Sequence, residues 1–146
     1  MNYEKKIEIR WADLDPNFHV LHSKYYDFGA YCRMSFFTEN GITVALLREH
    51  HIGPIIFREE CVFRSEIKFG DVVTVNLSLE SVTEDYRKWT LKHELWKNGD
   101  TIAALITVDG SWMDTVLRKV TAPPVRFIEC FNAIPKSAGF NLIPKI

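Results

Sequence analysis

The spacing of hydrophobic and polar positions changes period twice along the chain, and those changes divide it into elements. Residues Glu4 to Trp11, "EKKIEIRW", alternate; Ile7, Ile9 and Trp11 then share one face, which predicts a half-buried strand. Further on, Tyr25, Tyr26, Phe28, Tyr31, Cys32, Met34, Phe36 and Phe37 cover most of the circumference of a helix, the pattern of one enclosed on all sides. Ser23 is the expected N-cap, and Glu39-Asn40-Gly41 the expected stop, because glycine accepts a left-handed backbone just past a helix end. Gly29 and Ala30 are expected to let a neighbouring backbone come close. An amphipathic piece, "TVALLREHH", follows and ends at Gly53-Pro54.

Beyond that point the period becomes two. Residues 55–67 read as extended, Val73, Val75, Leu77 and Leu79 alternate with polar neighbours, and Trp89, Leu91, His93 and Leu95 do the same. Asn98-Gly99 predicts a tight hairpin into another long alternating run, "TIAALITVDGSWM", because both residues tolerate positive φ. Pro123-Pro124 should close the sheet and open a short helix through "VRFIECF". The tail, "PKSAGFNLIPKI", carries no periodic signal and would be ordered only by packing or by a partner chain. Strand, enclosed helix, then four antiparallel strands is the α+β layout in which one curled antiparallel sheet wraps a long central α-helix.

Length and composition narrow the possibilities. At 146 residues, 1–146 is expected to be one domain with its core in about 3–120 and a C-terminal tail over 121–146. The 18 basic and 19 acidic residues give a net charge of −1, so there is no basic footprint for nucleic acid or for an anionic membrane. Cys32, Cys61 and Cys130 lie far apart, are odd in number and form no C-x-x-C pair, which argues against a zinc knuckle and a disulfide framework. The N-terminal stretch has no apolar signal core, and no run approaches the roughly 18 consecutive apolar residues of a membrane helix. A cytoplasmic location with reduced thiols is the expectation.

Common catalytic signatures are missing from the sequence: G-x-S-x-G, G-x-x-x-x-G-K-[ST], G-x-G-x-x-G and H-E-x-x-H. His50 and His51 are adjacent, so they do not share a helix face and read as a solvated helix end rather than a metal site. His93, on an apolar alternating face, reads as a hydrogen-bonded core residue. The stretch Glu84 to Lys88 reads as a charged turn, with Arg87 and Lys88 available to a phosphate. The loop "WADLDPNFHVLHSKYYDF" is different. It sets Asp13, Asp15, Asn17, His19 and His22 directly before an aromatic helix, and Asp15, Asn17 and His19, two residues apart, can point the same way in an extended loop. The helix start supplies unpaired N–H groups and a partial positive charge, a ready acceptor for a carbonyl oxygen becoming an oxyanion. With a carboxylate or imidazole beside that spot, acyl transfer becomes chemically accessible.

The order "DLDPNFHVLHSKYYDF", followed by a helix and by "FRSEIKFGDVVTVNLSL", resembles the hotdog-fold thioesterases, both the 4-hydroxybenzoyl-CoA thioesterase group and the acyl-acyl-carrier-protein thioesterases of fatty-acid synthesis. The motif D-L-D-x-N-x-H-V spans Asp13 to Val20. By this resemblance Asp15 matches the catalytic aspartate of the first group. Asn17 and His19 match the set used by the carrier-protein enzymes, Glu66 matches the glutamate that joins it, and His22 opens the central helix. The 4-hydroxybenzoyl-CoA group usually carries glycine where Phe18 stands. The carrier-protein enzymes usually contain two tandem repeats, so a single-repeat chain implies a homodimer with sites at the subunit interface, often paired again into a homotetramer.

The implied activity is hydrolysis of the thioester of an acyl-CoA or acyl-carrier protein, without metal or cofactor beyond the CoA of the substrate. Asp15 would attack the carbonyl or deprotonate water, Asn17 would position water or the carboxylate, and His19 would orient Asp15 or move a proton. His22 would contribute its backbone amide, as would Ser23; Tyr25, Arg87 and Lys88 join Ser23 as candidate substrate-binding residues. Two other classes fit less of the pattern. A hotdog hydratase or dehydratase would place proline after the asparagine and the histidine farther on, whereas Pro16 precedes Asn17 and His19 is two residues after it. A non-catalytic acyl-CoA-binding module would not need so crowded a polar loop.

Overall fold

A computed structural model describes residues 2–144. The chain forms β1 (Glu4–Ile7), a single 3-10 turn (Trp11–Asp13), α1 (Lys24–Glu39), α2 (Val44–Glu49), β2 (Ile52–Phe63), β3 (Val73–Asn76), β4 (Ser78–Thr83), β5 (Lys88–Lys97), β6 (Thr101–Asp114), β7 (Lys119–Val120), α3 (Val125–Asn132) and β8 (Lys136–Ile143). All eight strands join one curled sheet. β5 lies at its centre, with β6 on one edge and β3 followed by β4 along the other; β6 then carries β2 and, at its end, β7. β1 flanks β3, and β8 flanks β4. The pairings are antiparallel except β4 with β8, which is parallel.

The alternating runs do what their period dictates. Val73, Val75, Leu77, Leu79, Leu91, His93 and Leu95 all turn inward and are at most 2 % exposed. The single strand expected over Val73 to Leu79 is divided at Leu77, next to Asn76, whose side chain accepts the Glu94 N–H and whose carbonyl meets His93 Nδ1, so that side chains replace the backbone ladder to β5 there. Asn98 (φ 55) and Gly99 (φ 78) form the expected hairpin between β5 and β6. Pro124 is the N-cap of α3, as the double proline predicts. Gly53 and Pro54 lie inside β2 rather than ending the preceding helix, since Pro54 sits on a strand paired on one edge only, where the missing N–H costs nothing. The patternless tail becomes β8, ordered by its parallel pairing with β4.

α1 lies against the concave face but is not enclosed. Tyr25, Phe28, Gly29, Cys32, Arg33, Phe36 and Phe37 are buried as one stripe, while Tyr31 is 51 % exposed. One curled sheet of one chain covers one side of a helix, and the other side exposes Asp27, Tyr31, Thr38 and Glu39. The helix stops at Asn40 and Gly41, the latter at φ 87. Ser23 does not cap it: the residue is in helical conformation and its side chain makes no capping bond. Gly29 does mark a close approach, but to a side chain rather than a backbone, for a Cβ there would stand 3.0 Å from Cδ2 of His93. At the far end of α1, Phe37, Trp89, Trp112, Phe127 and Phe131 interlock in edge-to-face and tilted contacts, which ties α3 to the sheet.

Trp11 departs from the expected strand face. The alternation that puts Ile7 inside breaks at Arg10, where the Asp13 carboxylate accepts the Arg10 N–H at 3.0 Å and its guanidinium at 2.9 Å. That local closure makes the 3-10 turn and leaves Trp11 67 % exposed, stacked on Phe69.

Candidate functional site

Asp13 is structural. It is 1 % exposed, and its bonds to Arg10 hold its carboxyl below the usual carboxylate range against the opposing effect of burial. Its carbonyl accepts the Leu21 N–H, so the same residue closes the base of the loop that follows.

Within that loop the chain folds back on itself. Leu14 pairs with Val20, the Asp15 N–H donates to the His19 carbonyl at 2.8 Å, and the Phe18 N–H donates to the Asp15 carbonyl at 2.9 Å. One carboxylate oxygen of Asp15, Oδ1, accepts the N–H groups of Asn17 at 2.8 Å and His19 at 3.2 Å. These bonds fix the plane of the carboxylate and leave Oδ2 without a protein donor among the described residues. Phe18 closes the turn at φ 64, the left-handed region that glycine would take without strain.

His19 reaches the other wall. It pairs through its backbone with Lys68, and its Nε2 lies 2.9 Å from Oε2 of Glu66. A carboxylate only accepts, so Nε2 donates to Glu66, and Nδ1 has no protein partner among the described residues. The pair is solvent-accessible, with side chains 32 % and 51 % exposed, and its value lies in orientation more than in stability.

Asp15, His19, His22, Tyr25, Phe63 and Glu66 line one cleft of about 350 Å³ at the head of α1. Tyr25 is buried, edge-on to Phe63 at 4.9 Å, and burial raises its hydroxyl pKa against an opposing Ile67 backbone hydrogen bond. The bonds of the helix entrance are specific: Val20 N–H goes to Ile67, Leu21 to Asp13, and Lys24 to Leu21. The N–H groups of His22 and Ser23 have no protein acceptor among the described residues. They stand at the positive end of a 16-residue helix, beside the cleft.

The expected set is therefore only partly gathered. Asp15, His19, His22, Tyr25 and Glu66 converge on the cleft. Asn17 is exposed, and what it gives the site is a backbone N–H to Asp15. Ser23 contributes position and backbone rather than its hydroxyl. Arg87 and Lys88 are not brought to the cleft. Phe63 sits opposite Ala104, and Ala104 opposite Leu95, so the cleft lies seven residues along β5 from Lys88, about 23 Å in a strand. Arg87 instead lies 3.5 Å from Asp85 and gives its carbonyl to Ser111. Phe63 and Arg64, which carry no motif, were not among the expected residues; the alternation of β2 alone could have pointed Phe63 to the Tyr25 side.

Other titratable groups do not form a second centre. His50 and His51 are exposed at the end of α2, and the described residues contain no cluster of three or more His, Cys, Asp or Glu able to hold a metal. His93 is a core residue: with a neutral ring, Nδ1–H donates to the Asn76 carbonyl at 2.8 Å and Nε2 accepts from Arg33 at 3.1 Å. Burial, helped by the Arg33 charge, drops its pKa to about 3. Burial pushes the thiol of Cys32 up to about 12, and those of Cys61 and Cys130 up to about 11, so none is a poised nucleophile.

Comparison with known proteins gives the family and the fold. A family model described as the thioesterase-like superfamily matches residues 9–131. No curated protein sequence matches the chain. Among solved structures, a hypothetical protein from Staphylococcus aureus in complex with CoA is similar with a TM-score of 0.83 at 19% identity, covering 94% of this chain and 89% of that one. A 1,4-dihydroxy-2-naphthoyl-CoA thioesterase from Synechocystis is similar with a TM-score of 0.81 at 12% identity, covering 91% and 97%. A gentisyl-coenzyme A thioesterase gives 0.76 at 22% identity, covering 88% and 98%. At these identities the likeness establishes a shared hotdog fold, and the family match over most of the length establishes membership: the chain belongs to the thioesterase-like superfamily.

Proposed function

We propose that the protein hydrolyses acyl thioesters, with acyl-CoA as the substrate class. The observation that carries this reading is the convergence on one cleft of a restrained carboxylate, Asp15, a His19–Glu66 pair, and the two unpartnered N–H groups of His22 and Ser23. Family membership and the CoA-thioester enzymes among the structural neighbours support it.

In the reaction, the thioester carbonyl oxygen accepts the N–H groups of His22 and Ser23, whose placement at the helix head stabilises the oxyanion. Oδ2 of Asp15 either attacks the carbonyl carbon, giving an acyl–aspartyl anhydride that water then hydrolyses to the free acid and Asp15, or takes a proton from water that attacks it; in both routes the C–S bond breaks and the thiolate leaves. Oδ1 stays bonded to the loop, which holds Asp15 in place through the reaction. His19, with Nδ1 open and Nε2–H on Glu66, is the group able to move a proton to or from the cleft. Tyr25 and Phe63 bound the acyl group.

The open side of α1 and the unpaired edge of β2 support a homodimer in which a second copy completes the acyl pocket. Along that edge Ile56, Phe57, Val62 and Phe63 are all more than 40 % exposed, a surface that an isolated sheet rarely leaves bare. Free thiols and the lack of any helix long and apolar enough to cross a membrane among the described residues fit a cytoplasmic setting. A thiol-release assay over acyl-CoA esters of graded length and aromaticity tests the reading. Stoichiometric thiol and free acid are expected; loss of enoyl absorbance without thiol would mean a hydratase, and saturable CoA binding without turnover would mean a binding module.

A further inference from the structure

The hairpin that joins β6 to β7 ends in a tip of a kind no turn requires. Val116 and Leu117 stand side by side there, each 66 % exposed, where a solvated turn takes asparagine, aspartate, glycine or serine. The turn is held from beneath. Oδ1 of Asp114 accepts the Val116 N–H at 2.9 Å and the Leu117 N–H at 2.8 Å, and the Arg118 N–H donates to the Asp114 carbonyl at 2.8 Å. Two neighbouring apolar side chains are therefore presented to water on an ordered support.

Cations without partners flank this tip. Arg118 and Lys119 follow it directly, and both are exposed. The Thr115 N–H donates to the His51 carbonyl at 2.8 Å, which sets the end of α2, with Arg48, beside the hairpin. The His50 ring meets Phe127 edge-on at 5.7 Å, which brings up the start of α3, where Val125 is 69 % exposed and Arg126 follows it. Arg48, Arg118, Lys119 and Arg126 make no ion pair among the described residues. The acids on the same elements are Glu49, Glu129 and Asp114, and the Asp114 carboxylate is occupied by the turn. The chain's net charge of −1, which shows no basic footprint, averages over this end of the molecule.

We propose that the tip docks on an anionic lipid bilayer, with Val116 and Leu117 entering the boundary between headgroups and acyl chains and the four cations meeting lipid phosphates. A bilayer uses both features at once, because the apolar tip leaves water while the cations stay at headgroup level; a nucleic acid or an acidic protein would use the cations and leave the tip wet. The inference is independent of the thioesterase reading. Asp114 lies opposite Ile52 at the start of β2, whereas the cleft residue Phe63 ends that strand, eleven residues on and about 35 Å away.

The test is co-sedimentation with vesicles of phosphatidylcholine alone and of phosphatidylcholine mixed with phosphatidylglycerol, at low and at high salt. The wild type should follow the mixed vesicles, and less so as salt screens the headgroups. Each cation near an anionic leaflet is worth about fivefold in affinity, so Arg118→Gln combined with Lys119→Gln should lower partitioning about 25-fold. Val116→Ser combined with Leu117→Ser should lower it about tenfold or more while keeping every charge. Both variants keep the turn's backbone bonds and should melt at the wild-type temperature. Wild type that stays in solution with the mixed vesicles overturns the docking, and retention on heparin in that case would assign the cations to a soluble polyanion. Wild-type partitioning by the Val116→Ser, Leu117→Ser variant overturns it as well. So does a change of oligomeric mass in either variant, which would make the tip a subunit contact.

Discussion

Phe18 occupies a left-handed backbone conformation with its ring in solvent, at the position where the resemblance to hotdog thioesterases expects glycine. That conformation costs an L residue about 1–2 kcal/mol, and glycine's extra freedom in the unfolded chain returns about 0.4–1 kcal/mol of it. Phe18→Gly should therefore raise stability by up to about 1.6 kcal/mol, seen as a higher urea midpoint at unchanged slope. The sequence could reveal this site because motif and turn chemistry are both local. It misled at Ser23 and Trp11 because apolar alternation and cap preference do not register such turns: Asp13 and Arg10 closed a turn on each other, and a backbone carbonyl, not a hydroxyl, ordered the helix entrance. His93 carries the clearest pH dependence. Its folded pKa of about 3 lies below its ordinary value near 6.5, so between these limits the unfolded chain binds a proton that the native ring refuses. Stability is lost as pH falls through that window and is indifferent to this group above it. The groups facing the ring are the Asn76 carbonyl and Arg33, with Glu59 3.7 Å from the same guanidinium. In His93→Gln the fall in urea midpoint from pH 6.5 to 4.5 should be visibly shallower than in the wild type; an identical slope would assign the ring an ordinary pKa.

At the scale of elements, α1 shows how far periodicity can be trusted. Its length and stop were legible because capping and apolar spacing are properties of the segment itself. Its enclosure was not, since eight apolar side chains around a helix report that something covers them, not whether one chain supplies the cover. Gly29 tests the packing on the covered side. Replacing a helix-interior glycine with alanine normally gains about 1 kcal/mol of propensity. Here the new methyl would press on a ring clamped at both nitrogens, and overpacking of this kind costs about 1–3 kcal/mol. Gly29→Ala should lower the melting temperature, whereas an increase would show that His93 is free to move. The strands were legible where alternation persisted, as in β5 and β6, and not where pairing alone orders the chain, as in β8, whose sequence has no period and whose partner is β4.

For the molecule as a whole, the single chain is a half-covered structure: β2 pairs on one edge only, and its Ile56, Phe57, Val62 and Phe63 are exposed. The wild type should run at twice the mass of one chain in light scattering. Ile56→Glu combined with Val62→Glu, both exposed on β2, should give a folded monomer with greatly reduced hydrolysis, because the acyl pocket loses its second wall. The family was legible from one loop of ten residues, whose charges exceed anything a turn requires, while the open edge of β2 depends on a register no sequence pattern displays. The most direct test of the central claim is hydrolysis by Asp15→Asn. Asparagine keeps an oxygen to accept the Asn17 and His19 N–H groups, so the loop and the fold should persist while the nucleophile or base is lost. The expected result is a fall in kcat of about 10²-fold or more, measured by thiol release, at unchanged melting temperature and CoA affinity. Near-wild-type turnover in that variant would remove Asp15 from the chemistry and contradict the account.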